Sequence, residues 1–425
     1  MISKINKNAG LSDLELLCAV KEAIEPKISE LKKILIIPPD FTRMHSGAGK
    51  ITKMLYDMHH QTCEINIIPA LGTHDPLNEQ EWNDFFEGIP REHMIVHNWR
   101  TDVVKLGEVP AEFVNEVSEG LVNNSIDVEV NKEIIDKSYD LIISIGQVVP
   151  HEVVGMANYS KNLFVGCGGY SMINQSHMLG AFCDMERSMG KDHSPVRKVF
   201  DYAETNFIKE YPVLYMLTVT TLSNNQVNIH GIFIDQERSA FEEAVSLSQE
   251  KNITFLDKAP KKIVVYLDER EFKSAWLGNK AIYRTCMAIA DGGELIILAP
   301  GVKKFGEDEG IDKLIRKYGY VGREKVLELC QTNDDLKKNL SVAAHLIHGS
   351  SNSRFSITYA VEHLTKQEVE GVNFIYSHLE TMIEKYNPAK LKDGFNSMDD
   401  GEEIFYVSNP ALGLWASREK FYKNS

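Results

Sequence analysis

Ile34-Leu35-Ile36-Ile37-Pro38-Pro39-Asp40-Phe41-Thr42-Arg43 is the stretch on which the reading of this chain turns. Four consecutive apolar residues without polar alternation suit a strand buried on both faces, as in a parallel sheet, and the proline pair ends it. The same signature returns at Ile65 to Leu71 and at Leu141-Ile142-Ile143-Ser144-Ile145, with a further strand expected at Met94 to Asn98. Helical patterns lie between these runs. Leu14, Leu17, Val20 and Ile24 form one stripe, opened by Ser12 and Glu15 as a capping box; a second helical stretch runs to about Cys63, and a third spans Glu79 to Phe86. Strands alternating with helices predict an α/β domain with a mainly parallel sheet.

The rhythm changes at Leu214 to Leu222 and Val227 to Ile234, two β runs joined by Ser223-Asn224-Asn225-Gln226, which reads as a hairpin. A helix from Ser239 to Asn252 follows, and Lys258-Ala259-Pro260-Lys261-Lys262 reads as a linker. The α/β pattern then restarts: a strand at Ile263 to Leu267, a helix from Phe272 to Ala290 stopped at Gly292-Gly293, and strands at Leu295 to Ala299, Val372 to Tyr376 and Ile404 to Val407. The expected architecture is two α/β domains with mainly parallel sheets and a cleft between them. Residues 1–258 would carry the chemistry and residues 259–425 the second domain, its final segment packing back on the first.

Composition agrees with that size and class. A chain of 425 residues is too long for one ordinary core, and 43% hydrophobic with 25% charged residues excludes disordered and fibrous architectures. Lys and Arg number 46 against 61 Asp and Glu, a net charge of −15, which repels phosphate backbones and anionic lipid heads. Nucleic-acid and membrane partners are therefore not expected, whereas a small anionic substrate is not excluded, because a few local cations can outweigh a distant mean charge. The start, Met1 to Lys7, lacks the apolar stretch of a secretory signal, and the six cysteines form no C-x-x-C pair. Both features predict reduced thiols in a cytoplasmic protein.

Ligands of open α/β sheets sit beyond the carboxyl ends of the strands. Four polar clusters fall there: Asp40-Phe41-Thr42-Arg43, Gly72-Thr73-His74-Asp75, Gln147 to His151, and the segment carrying Lys161 and His177. Singly, each has an ordinary explanation. Asp40 and Thr42 can cap a helix beside a surface Arg43, His74 and His151 can be structural, and Lys161 and His177 can be solvated. Gly166-Cys167-Gly168-Gly169 matches only part of a dinucleotide fingerprint. Taken together, the clusters point to a site.

In order and spacing the set resembles the nickel-pincer lactate racemase family: His74 stands 31 positions after Arg43, Lys161 10 after His151, and His177 16 after Lys161. Lys280, twelve residues before Gly292, matches the family's substrate-site lysine. The resemblance implies a racemase or epimerase of a 2-hydroxy acid. Lys161 would covalently carry the nickel-pincer nucleotide (a Ni(II) pyridinium-3-thioamide-5-thiocarboxylic acid mononucleotide), and His177 would complete the nickel's coordination. His74 and His151 would be the acid/base pair, one on each face of the substrate. Asp40, Thr42 and Arg43 would contact cofactor or substrate, and Arg43 and Lys280 would hold the substrate carboxylate beside Trp276 and Leu277. Cofactor-maturation enzymes are implied partners.

The chemistry suits these groups. A proton beside an ionised carboxylate is hard to abstract, whereas hydride removal to a pyridinium avoids a carbanion, and a histidine with pKa about 6.5 can take the hydroxyl proton. Two departures from the family are visible. Ala157-Asn158-Tyr159-Ser160 stands where members show Ser-Gly-Gly before the lysine, placing larger side chains where backbone would approach the cofactor. Trp276 and Leu277 replace a tyrosine and a polar residue, which implies a substrate other than lactate, such as a sugar acid. Two other classes remain open from the residues alone: an NAD(P)-dependent 2-hydroxy acid dehydrogenase, and a non-catalytic binding protein of the same fold. His345, His348 and Arg354 are expected at the surface.

Overall fold

Lys33–Ile37 forms an interior strand of a six-stranded sheet, between parallel partners Glu64–Ile67 and Leu141–Gln147. Ile34, Leu35, Ile36 and Ile37 are at most 1% exposed, which accounts for the absence of polar alternation. Val213–Ser223 adds in parallel to Leu141–Gln147, and Gln226–Asp235 and Ile2–Ile5 complete the sheet antiparallel. This computed structural model describes residues 1–27, 30–223 and 226–423. The hairpin turn expected at Asn224-Asn225 lies outside the described residues.

The chain divides into two compact units, residues 1–179 with 188–252, and residues 180–187 with 253–425. The first unit therefore ends at Asn252, ahead of the expected linker, and Lys262 already opens a strand. In the first unit, helix Asp13–Ile24 carries both halves of the Ser12/Glu15 capping box, and its Leu16, Ala19, Val20 and Ile24 are buried. Ala48–His59 and Glu79–Phe85 supply the next two helices. Two expected strands are shorter than their apolar runs. The strand from Ile65 stops at Ile67, because Pro69 has no N–H to donate; pairing beyond it is reduced to Ile68 N–H on the Ile36 carbonyl at 2.9 Å and an isolated Pro39–Ala70 bridge, with Ala70 N–H on the Pro38 carbonyl at 2.8 Å. Met94 to Asn98 makes one isolated bridge, Ile67 to Met94, and no strand. An antiparallel ribbon, Val103–Val109 with Ile126–Asn131, was not anticipated.

The second unit holds another six-stranded sheet. Its order is Ile375–His378, Ser356–Val361, Glu294–Ala299, Lys262–Tyr266, Glu403–Val407, Gly394–Ser397; all are parallel except the last, an antiparallel edge. The helix expected from Phe272 to Ala290 is broken into Ala275–Gly278 and Lys280–Thr285. Asn279 between them is fully buried, and its amide is held by the Tyr359 hydroxyl at 2.7 Å. The strand expected from Val372 begins only at Ile375, after Asn373 turns the chain with a φ of 68°. The final segment belongs to this unit, Leu414–Ser417 pairing in parallel with Ile253–Leu256. Among the described residues no helix is long and apolar enough to cross a membrane.

Candidate active site

The first unit's site begins where the Lys33–Ile37 strand gives way to a 3-10 turn, Phe41–Ser46. Asp40 is 8% exposed and both its oxygens are engaged: Oδ1 accepts from the Thr42 hydroxyl at 2.5 Å and Oδ2 lies 2.5 Å from His74 Nδ1. Burial pushes the Asp40 carboxyl up, but the bonds from His74 and Thr42, with Arg43 nearby, outweigh it and leave the carboxyl below its ordinary value. A carboxylate only accepts, so His74 Nδ1 carries a hydrogen, and in the neutral ring Nε2 is the atom that presents a lone pair. His74, Thr42 and Arg43 are exposed, so this imidazole is oriented from a buried anchor while its outer edge stays open.

Backbone contacts join that loop to the next. Gly72, with φ of 59°, donates its N–H to the Gly166 carbonyl at 2.7 Å. A Cβ at Gly166 would lie 2.5 Å from that of Ala70, so only glycine permits the approach. Gly166 closes a π turn, Asn162–Gly166, that starts directly after Lys161. The glycine run 166–169 thus follows a π turn, not a strand, and lacks the strand–turn–helix setting of a dinucleotide fingerprint.

His151 is 8% exposed, in a short ribbon of Pro150–His151 with Gly155–Met156. Val153 N–H donates to its Nδ1 at 3.1 Å, which places the hydrogen of the neutral ring on Nε2. Burial drives its pKa well below the ordinary value; Glu152 opposes this, and Lys161, Arg43 and His177 add to it. Lys161 is half-buried, and burial together with Arg43 lowers its ammonium to about 8 against the pull of Asp40 and Glu152. His177 stands on helix Tyr170–Phe182 with Nδ1 2.6 Å from the Ile173 carbonyl, so Nδ1–H donates and Nε2 is left as a ligand or acceptor. Burial lowers its pKa too, with Lys161 adding to the effect. The charges of Asp40, Arg43, His151, Lys161 and His177 thus act on one another, and Asp40 holds His74 and Thr42 directly.

Trp276, Leu277 and Lys280 lie in the second unit. Trp276 stacks on His345 with centroids 4.1 Å apart, Leu277 N–H is capped by Ser274, and the Lys280 ammonium lies 5.9 Å from the Phe272 ring centre. His345 and His348 are buried, not at the surface as expected: Ala343 to His348 face inward on helix Leu340–His348, and burial pushes the His345 imidazole down to about 3. Arg354 is half-buried and bound to Asp291 and Glu186.

Two groups that act on Lys161, Glu152 and Arg197, have no place among the sequence candidates, and neither does Glu204, which lies beside Tyr159 and Tyr215. Arg197 is 0% exposed on the Pro195–Ala203 helix, among buried Val196, Val199 and Phe200. An arginine on an apolar helix face was the available signal. Glu204 accepts from Tyr215 OH at 2.6 Å, and burial pushes its carboxyl up to about 7. A carboxyl that holds its proton more tightly in the folded chain stabilises fully below the ordinary value of 4.5, and that contribution is lost as pH rises through about 7. Glu204→Gln should therefore flatten the fall in unfolding free energy between pH 5 and 8, read by urea denaturation at several pH values. An unchanged slope would refute the assignment.

Among the described residues no three His, Cys, Asp or Glu side chains form a metal-holding group. A metal at His177 would therefore need donors brought by a cofactor, with one imidazole added by the protein. The free Nε2 of His177 and the amine of Lys161 fit that division.

Residues 18–190 match the model of the lactate racemase N-terminal domain family. No curated protein matches the chain. Among solved structures, it resembles a protein from Thermotoga maritima with a TM-score of 0.77 at 23% identity, over 97% of this chain and 99% of that one. It also resembles the lactate racemase apoprotein from Thermoanaerobacterium thermosaccharolyticum, with a TM-score of 0.71 at 16% identity, over 96% and 93% of the two chains. At these identities the structural likeness establishes the α/β fold, and the sequence match likens residues 18–190 to the lactate racemase N-terminal domain family.

Proposed function

We propose that this chain is a racemase or epimerase of a 2-hydroxy acid longer than lactate, working with a nickel-pincer nucleotide held on Lys161. The observation that carries this reading is the grouping of a low-pKa lysine, an arginine and three imidazoles, two of them with opposite hydrogen placement, inside the segment that matches the lactate racemase N-terminal domain. Lys161 would anchor the cofactor and His177 Nε2 would complete its metal. When bound, that cofactor supplies a reversible acceptor for the substrate's hydride.

The chain's own groups supply the rest. Arg43 binds the substrate carboxylate through its guanidinium fork. His74, with Nδ1–H donated to Asp40, offers Nε2 as a base for the substrate hydroxyl proton. His151 holds its hydrogen on Nε2 and is kept neutral by burial and surrounding cations, so it donates toward the substrate oxygen. The resting site is therefore poised asymmetrically: His74 takes the hydroxyl proton at Nε2 and gives it back when the hydride returns, while the neutral His151 contributes a hydrogen bond from Nε2; for His151 to take the proton instead, its own hydrogen must first move to Nδ1 and free Nε2.

The test is to express the chain with and without cofactor-making enzymes, weigh the Lys161 peptide, and assay stereochemical inversion over a panel of 2-hydroxy and sugar acids. An added mass on Lys161 together with inversion of at least one acid is expected. Inversion by protein whose Lys161 is unmodified would overturn the proposal.

A further inference from the structure

Directly before Lys161 the backbone takes a form that side chains disfavour. Asn158 has φ of 66° and Tyr159 has φ of 57°, two successive non-glycine residues in the left-handed region. Asparagine tolerates this; a bulky aromatic does so only where its surroundings over-determine it. Those surroundings centre on Arg197. Its Nη1 donates to Ser160 Oγ at 2.9 Å, and its Nη2 to the carbonyls of Met156 at 2.8 Å and Asn158 at 3.1 Å, so one buried fork grips the segment at three points. The same guanidinium lies 4.5 Å from the Phe241 ring centre, on which Tyr159 stacks at 5.0 Å and 15°, while Tyr215 packs 4.3 Å from Tyr159. Asp201, Asp192 and Glu204 supply the surrounding negative charge that a buried guanidinium needs. Asn158 adds its own tie, Oδ1 accepting from Tyr159 N–H at 2.8 Å.

We infer that Arg197 is a positioning residue for Lys161: its fork and the Tyr159 ring hold the 156–160 segment in the left-handed course that two glycines would adopt freely, and so aim the lysine into the site. The inference rests on the proposed role of Lys161 and extends it to residues outside the site. A lysine at 197 can keep the charge and part of the length, but it cannot bond three acceptors in one plane. Loss of the fork leaves the strain unopposed, so the segment should loosen while the sheet beneath it does not.

Amide hydrogen exchange on the full chain, wild type against Arg197→Lys, tests this together with the mass of the Lys161 peptide after coexpression with cofactor-making enzymes. Exchange in peptides covering 156–161 is expected to quicken by about tenfold or more, exchange in Leu141–Gln147 and Val213–Ser223 to stay as in wild type, and the modified fraction of Lys161 to drop several-fold. Unchanged protection of 156–161 would overturn the inference, as would loop and sheet loosening together, which marks a general structural role. Should Arg197→Lys not fold, Ser160→Ala removes one of the three bonds and must give the same local loosening on a smaller scale; no loosening there also overturns it. A wild-type chain without modification on Lys161 would defeat the functional proposal, while the exchange data would still decide whether Arg197 clamps the segment.

Discussion

Lys161→Ala, produced alongside cofactor-making enzymes, should carry no added mass and lose inversion by a factor of about 10³ or more, because a tethered reactant is replaced by one that must be captured from solution at each encounter. The environment of Lys161 suits attachment. With its pKa lowered to about 8, roughly one amine in ten is neutral at pH 7, against fewer than one in a thousand for an ordinary lysine. Burial and Arg43 produce this shift, and Asp40 and Glu152 limit it, so the amine is nucleophilic without being lost as a cation. Lys161→Arg separates the two properties: it keeps a positive charge beside His151 and His177, yet arginine stays protonated and cannot attack. It should be as inactive as the alanine variant. Circular dichroism and thermal unfolding should show both variants folded, since Lys161 lies at the edge of a π turn and contributes no apolar side chain to the core. Full inversion by either variant would remove Lys161 from the chemistry.

What could be read in advance follows from where side chains are local evidence of their surroundings. Ile34 to Ile37 announced an interior strand because burial on both faces leaves no room for polar residues, and Ser12 with Glu15 announced a helix start because both halves of the box lie within one turn. Ser356–Val361 went unseen because Ser356, Thr358 and Tyr359 break up its apolar signal, although it lies inside the second sheet. The continuous helix expected from Phe272 failed at Asn279, whose amide is held by Tyr359, eighty residues away in sequence. The site divides in the same way. Asp40, Arg43 and His151 could be picked out as residue types after expected strands, and Lys161 and His177 by their spacing from them, but the hydrogen placement on each imidazole could not, since it depends on Val153, Ile173 and Asp40 as partners. Arg197 was overlooked because its one signal, a charge among the apolar residues of a helix face, does not by itself say that the side chain is buried or what it binds.

Asp40 offers the sharpest check on the division of labour between the two histidines. Sequence placed it among the residues touching cofactor or substrate, whereas in the structure both of its oxygens are taken by Thr42 and His74. Its proposed work is to fix the hydrogen of His74 on Nδ1. In Asp40→Asn the amide can turn its NH₂ toward His74, which forces Nδ1 to accept and moves the hydrogen to Nε2, where a base is needed. Turnover should fall by about 10² to 10⁴ fold with KM little changed, the penalty expected for holding a catalytic imidazole in the wrong tautomer. Asp40→Ala leaves Nδ1 to water and both tautomers open, so it should fall less far than the isosteric asparagine. Steady-state inversion rates for the two variants, with the Lys161 peptide weighed to confirm equal loading, decide the matter. An asparagine variant as active as wild type would move the base away from His74, and an alanine variant worse than asparagine would mean that Asp40 acts by its charge on Arg43 and Lys161 instead of through the imidazole.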